Sequence, residues 1–277
     1  MDLRLLPWAL ASAVVLAPFA ARPQETVIVG APAVVLPAAP PLLSTDCRAK
    51  RTASEFFGKP LSSLRRAVRS KSQVKVLAIG SSSTVGVGAS SPMATYVARL
   101  ETSLEGALKG TDFDVVNAGK SGEVAQGAAD RMKKEVEETK PDLVVWQVGT
   151  NDAIRHVSLD KFKLCLKMTL SWLAVRKIDV VLVDPQYGET LAKDEYYGKV
   201  VTAVADVARE MSVLLVDHFE AMREAQGNRG DTFYLVSDNL HMNDRGHRCM
   251  AEQLARSIVG GLLQADSETD QPVFYPY

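Results

Sequence analysis

Short apolar runs alternate with longer amphipathic segments through most of this chain, and that alternation restricts its fold more than any other feature. The apolar runs are residues 74–79, 113–116, 143–148, 178–183 and 213–216. They are short and bounded by polar or glycine residues, so they predict buried strands. The segments between them carry apolar residues three and four positions apart, which is typical of helices with one buried face. The pattern therefore predicts an α/β fold: a three-layer α/β/α sandwich with a five-stranded, mostly parallel sheet.

Local signals predict where some of these helices begin and end. Ser91 is followed by Pro92, and serine caps a helix while proline fits its first position. We therefore expect the first helix after the first strand to start there and to end at Gly110. Pro141 is expected to close the next helix.

The N-terminus differs from the rest of the chain. Residues 1–21 carry an early arginine and then an almost uninterrupted apolar run, which predicts a signal peptide or, if it is not cleaved, an N-terminal membrane anchor. Residues 22–44 are rich in proline and alanine and predict a linker. The folded domain is expected over residues 45–264, followed by a tail over residues 265–277. We expect a periplasmic or secreted protein.

The charge balance excludes some partners. The 277 residues include 32 basic and 33 acidic side chains, for a net charge of -1, and no long block of like charge occurs. Proteins that bind nucleic acid generally present a strong basic surface, so no nucleic-acid partner is predicted. The four histidines are scattered, and no metal site is predicted.

Three cysteines allow one disulfide in an exported protein. Cys165 falls on the apolar face of a predicted helix and is expected to be a buried free thiol. Cys47 and Cys249 are the pair left over, which would link the start of the domain to its last helix. The alternative is three unpaired cysteines.

Three side chains typical of nucleophilic catalysis lie in segments expected at one edge of the sheet. Ser82 follows the first strand in a hydroxyl-rich turn, while Asp238 and His241 share a polar segment before the last helix. The carboxyl ends of parallel strands meet at one edge, where ligands bind. An aspartate three positions before a histidine can hold one imidazole nitrogen while the other faces the serine. His247 is an alternative base, but Gly-His-Arg at positions 246–248 is typical of a helix start.

The loops after the second and third strands carry candidate oxyanion donors. Asn-Ala-Gly-Lys-Ser-Gly places Gly119 and Gly122 after the second strand, and Gly-Thr-Asn-Asp places Asn151 after the third. A glycine lets its backbone approach a substrate closely, and an asparagine amide can donate to an oxyanion. Taken singly, each is more typical of a turn.

Together these four blocks resemble the SGNH (GDSL-type) hydrolase family, whose fold is flavodoxin-like. The resemblance implies that Ser82 is the nucleophile, His241 the base and Asp238 its acid partner. It implies that Gly122 and Asn151 contribute to the oxyanion hole, with Gly119 as a second candidate for the glycine role. The family usually has aspartate just before the nucleophile, whereas this chain has Ser81.

The resemblance implies a serine esterase that needs no cofactor and acts on short-chain or O-acetyl esters of small molecules or glycans. The N-terminal segment predicts that this esterase is exported. Tyr187, Tyr196 and Tyr197 are candidates for stacking on sugar, or else pack in the core. One alternative is an O-acyltransferase that passes the same acyl group to a glycan. Another is a non-catalytic module in which residues 81–84 bind phosphate. The sequence does not indicate an oligomeric state.

Overall fold

The structure is a computed structural model that describes residues 36–48 and 60–269. The predicted signal segment, the first part of the predicted linker and residues 270–277 of the predicted tail lie outside the described residues. The last helix continues to Thr269, past the predicted domain end at residue 264.

The centre of the fold is a five-stranded sheet in the order β2-β1-β3-β4-β5. Its strands are β1 (Gln73–Gly80), β2 (Asp112–Gly119), β3 (Leu143–Gln147), β4 (Asp179–Val183) and β5 (Leu214–Val216). Every neighbouring pair is parallel, which confirms the predicted sheet. This strand order is the flavodoxin-like one, and its reversal point lies at the carboxyl ends of β1 and β3.

Helices cover both faces of the sheet. They are α1 (Ser62–Ser70), α2 (Ser82–Val85), α3 (Tyr96–Ala107), α4 (Ala125–Thr139), α5 (Thr150–Ile154), α6 (Leu159–Val175), α7 (Glu189–Ala192), α8 (Glu195–Glu210), α9 (His218–Gln226) and α10 (Asp244–Thr269). One core packs α1, α3 and α10 against the sheet, and the other packs α4, α6 and α8 against its opposite face.

The two cores take alternate residues of each strand. In β1, Val76 and Ala78 face the core beneath α3 and α10, whereas Leu77 and Ile79 face the core beneath α4 and α6. All four side chains are fully buried. A strand that is buried on both faces needs a continuous apolar run, which is why this strand was predictable from the sequence.

Two predicted boundaries are wrong. Residues Pro92–Ala94 form a separate 3-10 turn, and α3 begins only at Tyr96. Thr95 is the true cap, because its side-chain oxygen accepts a hydrogen bond from the Ala98 N–H. Strand β2 also runs beyond the predicted residue 116, because its small residues up to Gly119 still pair with β1.

The described start of the chain, residues 36–48, is attached to α10. The Ser44 N–H donates to the Glu252 carboxylate at 2.7 Å, and Arg256 donates to the Pro41 carbonyl at 2.9 Å. Cys47 and Cys249 form a disulfide, which confirms the predicted pair. Cys165 is a buried free thiol, as predicted. Across the two described ranges, no helix is both long and apolar enough to cross a membrane.

Candidate active site

Ser82 is the first residue of α2, and only Ser81 separates it from the end of β1. The first N–H groups of a helix have no partner within the helix. Within the described residues, the Ser82 N–H donates no hydrogen bond. The buried Thr84 hydroxyl bonds the Tyr96 hydroxyl at 2.8 Å and so anchors α2 to α3. The Ser82 hydroxyl and its backbone N–H are therefore presented together on a short, anchored helix.

His241 and Asp238 meet Ser82 from the other end of the domain. His241 Nε2 lies 3.0 Å from Ser82 Oγ, and His241 Nδ1 lies 2.6 Å from Asp238 Oδ2. The second carboxylate oxygen of Asp238 accepts the backbone N–H groups of Leu240 and His241, each at 2.9 Å. The aspartate thus fixes both the imidazole ring and the backbone that carries it.

Hydrogen bonds hold Asp238 in its charged form. Partial desolvation raises the pKa of its carboxyl, but the hydrogen bonds from the His241 side chain, the His241 N–H and the Leu240 N–H outweigh it. The net effect lowers the pKa of Asp238 below its ordinary value. Its side chain remains 46% exposed, so this end of the site is open to solvent.

The segment after α2 is bound to the histidine segment at two places. A side chain at Gly88 would place its Cβ 2.2 Å from the Met242 carbonyl oxygen, so only glycine allows this approach. Ser90 donates its N–H and its hydroxyl to the two carboxylate oxygens of Asp244, at 2.7 and 2.6 Å. These contacts hold the segment that follows Ser82 against the segment that carries His241.

The loop after β2 distinguishes its two candidate glycines. The Gly119 N–H donates to Asn117 Oδ1 at 2.9 Å, and a Cβ at Gly119 would lie 2.3 Å from the Val85 nitrogen. Gly119 therefore allows β2 to pack against α2, and its N–H is already used. Gly122 has a φ of +74°, and among the described residues its N–H donates no hydrogen bond. Gly122 is thus the glycine whose N–H is left for a ligand.

The loop after β3 is attached to the same segment. Asn151 Nδ2 donates to the Glu123 carbonyl at 3.0 Å, and both oxygens of Asp152 accept the Ala125 N–H, at 3.1 and 3.0 Å. Burial raises the pKa of the Asp152 carboxyl to about 6. One amide hydrogen of Asn151 remains for another acceptor.

A salt bridge closes the Gly122 loop. The Arg131 guanidinium donates to both carboxylate oxygens of Glu123, at 2.7–3.0 Å, and to the Ala118 carbonyl at 2.6 Å. The Glu123 side chain is 5% exposed. One guanidinium therefore joins both ends of the loop that carries Gly122. This salt bridge was not predicted from the sequence, because an acid and a base eight positions apart give no short-range signal.

His247, the alternative base, is buried in another environment. Its Nδ1 accepts the Tyr96 N–H at 3.2 Å, and its Nε2 faces the Val87 carbonyl at 3.3 Å. Burial lowers the pKa of His247 to about 4. Both ring nitrogens are occupied by backbone groups, which leaves His241 as the imidazole at Ser82.

The three tyrosines considered for sugar binding differ in their surroundings. Tyr197 is 1% exposed, and its hydroxyl donates to the Gln186 carbonyl, so the sugar-stacking prediction is wrong for Tyr197. Tyr187 packs edge-on against Phe219. Tyr196 stacks on His156 with ring centroids 4.6 Å apart. Packing accounts for the contacts of all three.

Known proteins share this fold. The chain is 30% identical over 170 residues to the esterase TesA of Pseudomonas aeruginosa, which is 60% of this chain and 78% of that protein. An acetyl-xylooligosaccharide esterase of Geobacillus has 25% identity and a TM-score of 0.59 over 67% of this chain and 94% of its own. A G-D-S-L family protein of Desulfitobacterium hafniense has 21% identity and a TM-score of 0.51 over 66% of this chain and 99% of its own.

The parallel sandwich and these relatives define the class: this protein is an SGNH hydrolase, and its activity is carboxylic ester hydrolysis. Within that class, the chain belongs to the non-GDSL lipase-like family, which matches residues 46–264. The family description agrees with the serine at position 81, where G-D-S-L proteins have aspartate.

Proposed function

We propose that this protein is an exported serine esterase that removes short acyl groups, acetyl above all, from hydroxyls of a carbohydrate. Ser82 is the nucleophile, His241 the general base and acid, and Asp238 the group that orients His241. The observation that carries the proposal is the continuous contact of these three side chains, 3.0 Å from Ser82 Oγ to His241 Nε2 and 2.6 Å from His241 Nδ1 to Asp238 Oδ2.

The reaction follows from these contacts. His241 Nε2 takes the Ser82 proton as the oxygen attacks the ester carbonyl carbon, and Asp238 stabilises the imidazolium that forms. His241 then gives that proton to the departing alkoxide, which leaves as the alcohol. A water molecule then attacks the acyl-enzyme and loses a proton to His241. When the bond between the acyl carbon and Ser82 Oγ breaks, His241 returns this proton to Ser82 Oγ, and the carboxylic acid leaves.

Three donors stabilise the negative oxygen of each tetrahedral intermediate: the N–H groups of Ser82 and Gly122 and the side-chain amide of Asn151. The first two donate no hydrogen bond among the described residues. Asn151 keeps one amide hydrogen after its bond to Glu123. These groups are fixed before substrate binds, and a preorganised donor costs no reorganisation during the reaction.

The surroundings of Ser82 favour a small acyl group on a large alcohol. Val85 on α2 is 43% exposed and Ile154 on α5 is 45% exposed, so each of these two short helices presents one branched apolar side chain. An acetyl methyl needs little apolar contact. The similarity to the acetyl-xylooligosaccharide esterase supports an O-acetylated sugar as the alcohol part.

Export is supported by two independent features. Residues 1–21 have the pattern of a signal segment, and a disulfide joins Cys47 to Cys249. Disulfides persist mainly in oxidising compartments such as the periplasm or the cell exterior. Export can be tested by fusing residues 1–44 to a reporter enzyme and locating the reporter. A reporter found only in the cytoplasm would contradict export.

The test is hydrolysis of p-nitrophenyl acetate by the full chain, compared with Ser82→Ala and Ser83→Ala. Ser83 is the matched control, because it is the next serine on α2 and makes no contact with His241 in the proposed site. We expect Ser82→Ala to lose at least about a thousandfold in kcat and Ser83→Ala to stay active. Equal activity of Ser82→Ala and the parent would refute the proposal.

Substrate class needs a second measurement. The rate of acetate release from an acetylated xylo-oligosaccharide should exceed the rate at which a long-chain p-nitrophenyl ester is hydrolysed. Product analysis in the presence of an acceptor sugar separates hydrolysis from acyl transfer: free acetate indicates the esterase, and an acetylated acceptor indicates the transferase.

A further inference from the structure

A row of buried polar side chains crosses the sheet edge between the two halves of the site. Ser81 Oγ donates to Gln147 Oε1 at 3.5 Å, Gln147 Nε2 to Thr150 Oγ1 at 3.3 Å, and Thr150 Oγ1 to Gln186 Oε1 at 2.9 Å. Gln186 Nε2 then donates to the Leu240 carbonyl at 3.0 Å. The row thus begins beside the nucleophile and ends at the residue before His241.

Each side chain in this row is almost inaccessible to water. Ser81 is 6% exposed, Gln147 3%, Thr150 5% and Gln186 2%. A buried polar group that loses its partner costs the full desolvation penalty, so such a row is stable only when every link is made.

The Leu240 carbonyl fixes the direction of the whole row. A carbonyl only accepts, so Gln186 must turn its Nε2 toward it and its Oε1 toward Thr150. The single Thr150 hydroxyl proton is then used by Gln186, and Thr150 must accept from Gln147 Nε2. Gln147 therefore presents its Oε1 to position 81. This orientation follows from the contacts of Gln186 and Thr150, and it leaves Gln147 Oε1 to accept from a donor at position 81.

We propose that Ser81, Gln147, Thr150 and Gln186 are positioning residues that set His241 against Ser82, and that they require a hydrogen-bond donor at position 81. The inference rests on the proposed function, since it assigns a role to the backbone next to His241. It also accounts for the departure from G-D-S-L proteins: an aspartate carboxylate accepts but does not donate, and it would face the Gln147 oxygen.

The test compares pairs of variants that differ only in hydrogen-bond capacity. Ser81→Asn and Ser81→Asp have the same shape, but only asparagine donates. Thr150→Ser keeps the hydroxyl, whereas Thr150→Val keeps the branched shape without it. The Thr150 pair introduces no charge, so it decides the matter if Ser81→Asp does not fold. Turnover of p-nitrophenyl acetate by the full chain at pH 8 is measured together with thermal unfolding.

We expect kcat of Ser81→Asp to be at least about tenfold below that of Ser81→Asn, and kcat of Thr150→Val about tenfold below that of Thr150→Ser, because small displacements of a base cost large factors in rate. KM should change little within each pair, because the row does not touch the substrate. If only packing were lost, Ser81→Asn would have the same low kcat as Ser81→Asp, and Thr150→Ser would have no higher kcat than Thr150→Val.

Equal kcat within the Thr150 pair, or within a folded Ser81 pair, overturns the inference. Ser82→Ala is assayed alongside. If it keeps full turnover, the proposed function fails and this inference fails with it. If Ser82→Ala is inactive while the paired variants match each other, only the positioning role is refuted.

Discussion

His241 Nε2 lies 3.0 Å from Ser82 Oγ, although 159 positions separate these residues in the chain. The contact depends on backbone packing as much as on the two side chains. Gly88 allows the segment after α2 to touch Met242, and Ser90 binds Asp244 at the start of α10. The nucleophile and the base are therefore held by neighbours that take no part in the chemistry.

Replacing Asn151 with alanine should slow turnover without abolishing it. The Asn151 amide is one of three proposed oxyanion donors, and loss of one donor typically costs about a hundred- to a thousandfold in kcat. Steady-state kinetics with p-nitrophenyl acetate measure this. Asn151→Asp has the same shape and cannot donate, so it should be at least as slow. Near-parental kcat in both variants would remove Asn151 from the mechanism.

Removing the Arg131 guanidinium should loosen the Gly122 loop and destabilise the fold. Arg131→Met leaves the buried Glu123 carboxylate with only the exposed Lys120 ammonium, at 4.0 Å, and breaking a buried pair costs about 3–5 kcal/mol. Urea unfolding measures the free-energy change, and kcat should fall with it. Arg131→Met combined with Glu123→Gln should recover part of the stability. A double variant no more stable than Arg131→Met would contradict a coupled pair.

Asp152 should make the stability depend on pH in a direction opposite to most carboxylates. Burial raises the pKa of Asp152 to about 6. An acid with a raised pKa stabilises the fold below its unfolded pKa, and that stability is lost as the pH rises from about 4 through about 6. Asp152→Asn should lack this loss, which is on the order of 3 kcal/mol.

The measurement for Asp152 is the difference in free energy of unfolding between Asp152→Asn and the parent at pH 4 and pH 7. Burial lowers the pKa of His218 and of His247 to about 4, and these groups titrate in both proteins. Their contribution therefore cancels in the difference. A difference that stays constant over this range would show that Asp152 titrates normally.

Reduction of the disulfide should destabilise the domain strongly. Cys47 and Cys249 are 202 positions apart, and closing a loop of this length in the unfolded chain stabilises a fold by about 5 kcal/mol in chain-entropy estimates. Cys47→Ala with Cys249→Ala should lower the free energy of unfolding by that amount. Dithiothreitol should destabilise the parent and leave the double variant unchanged.

The sheet and its edge were predictable because their signals are local and strong. The run Val76–Ile79 is apolar throughout, as burial on both faces demands, and Asp238 stands three positions before His241. Cys165 was predictable as a core residue from its helical spacing. In each case one short stretch of sequence contains the whole pattern.

Other features depend on residues that are distant in the chain. Helix α3 begins at Tyr96, where Thr95 caps it, and not at the predicted Ser91-Pro92. The serine-proline pair gives an equally good local signal, so the sequence alone does not separate the two positions. Helix α1 was not predicted, because its buried residues are few and lie among arginines. Gln147 ends an otherwise apolar strand, and its buried amide is a sequence signal of the polar row. The sequence prediction did not include this row.

The one-way order of hydrogen bonds from Ser81 to Leu240 also limits how this sequence can evolve. A mutation to aspartate at position 81 leaves two acceptors facing each other, and no rotation of the Gln147 or Gln186 amides repairs the row without depriving the Leu240 carbonyl of its donor. Position 81 and at least one partner along the row must therefore change together. If the proposed row holds, serine and aspartate at position 81 each need different partners along the row, even though the two residues differ by little in size.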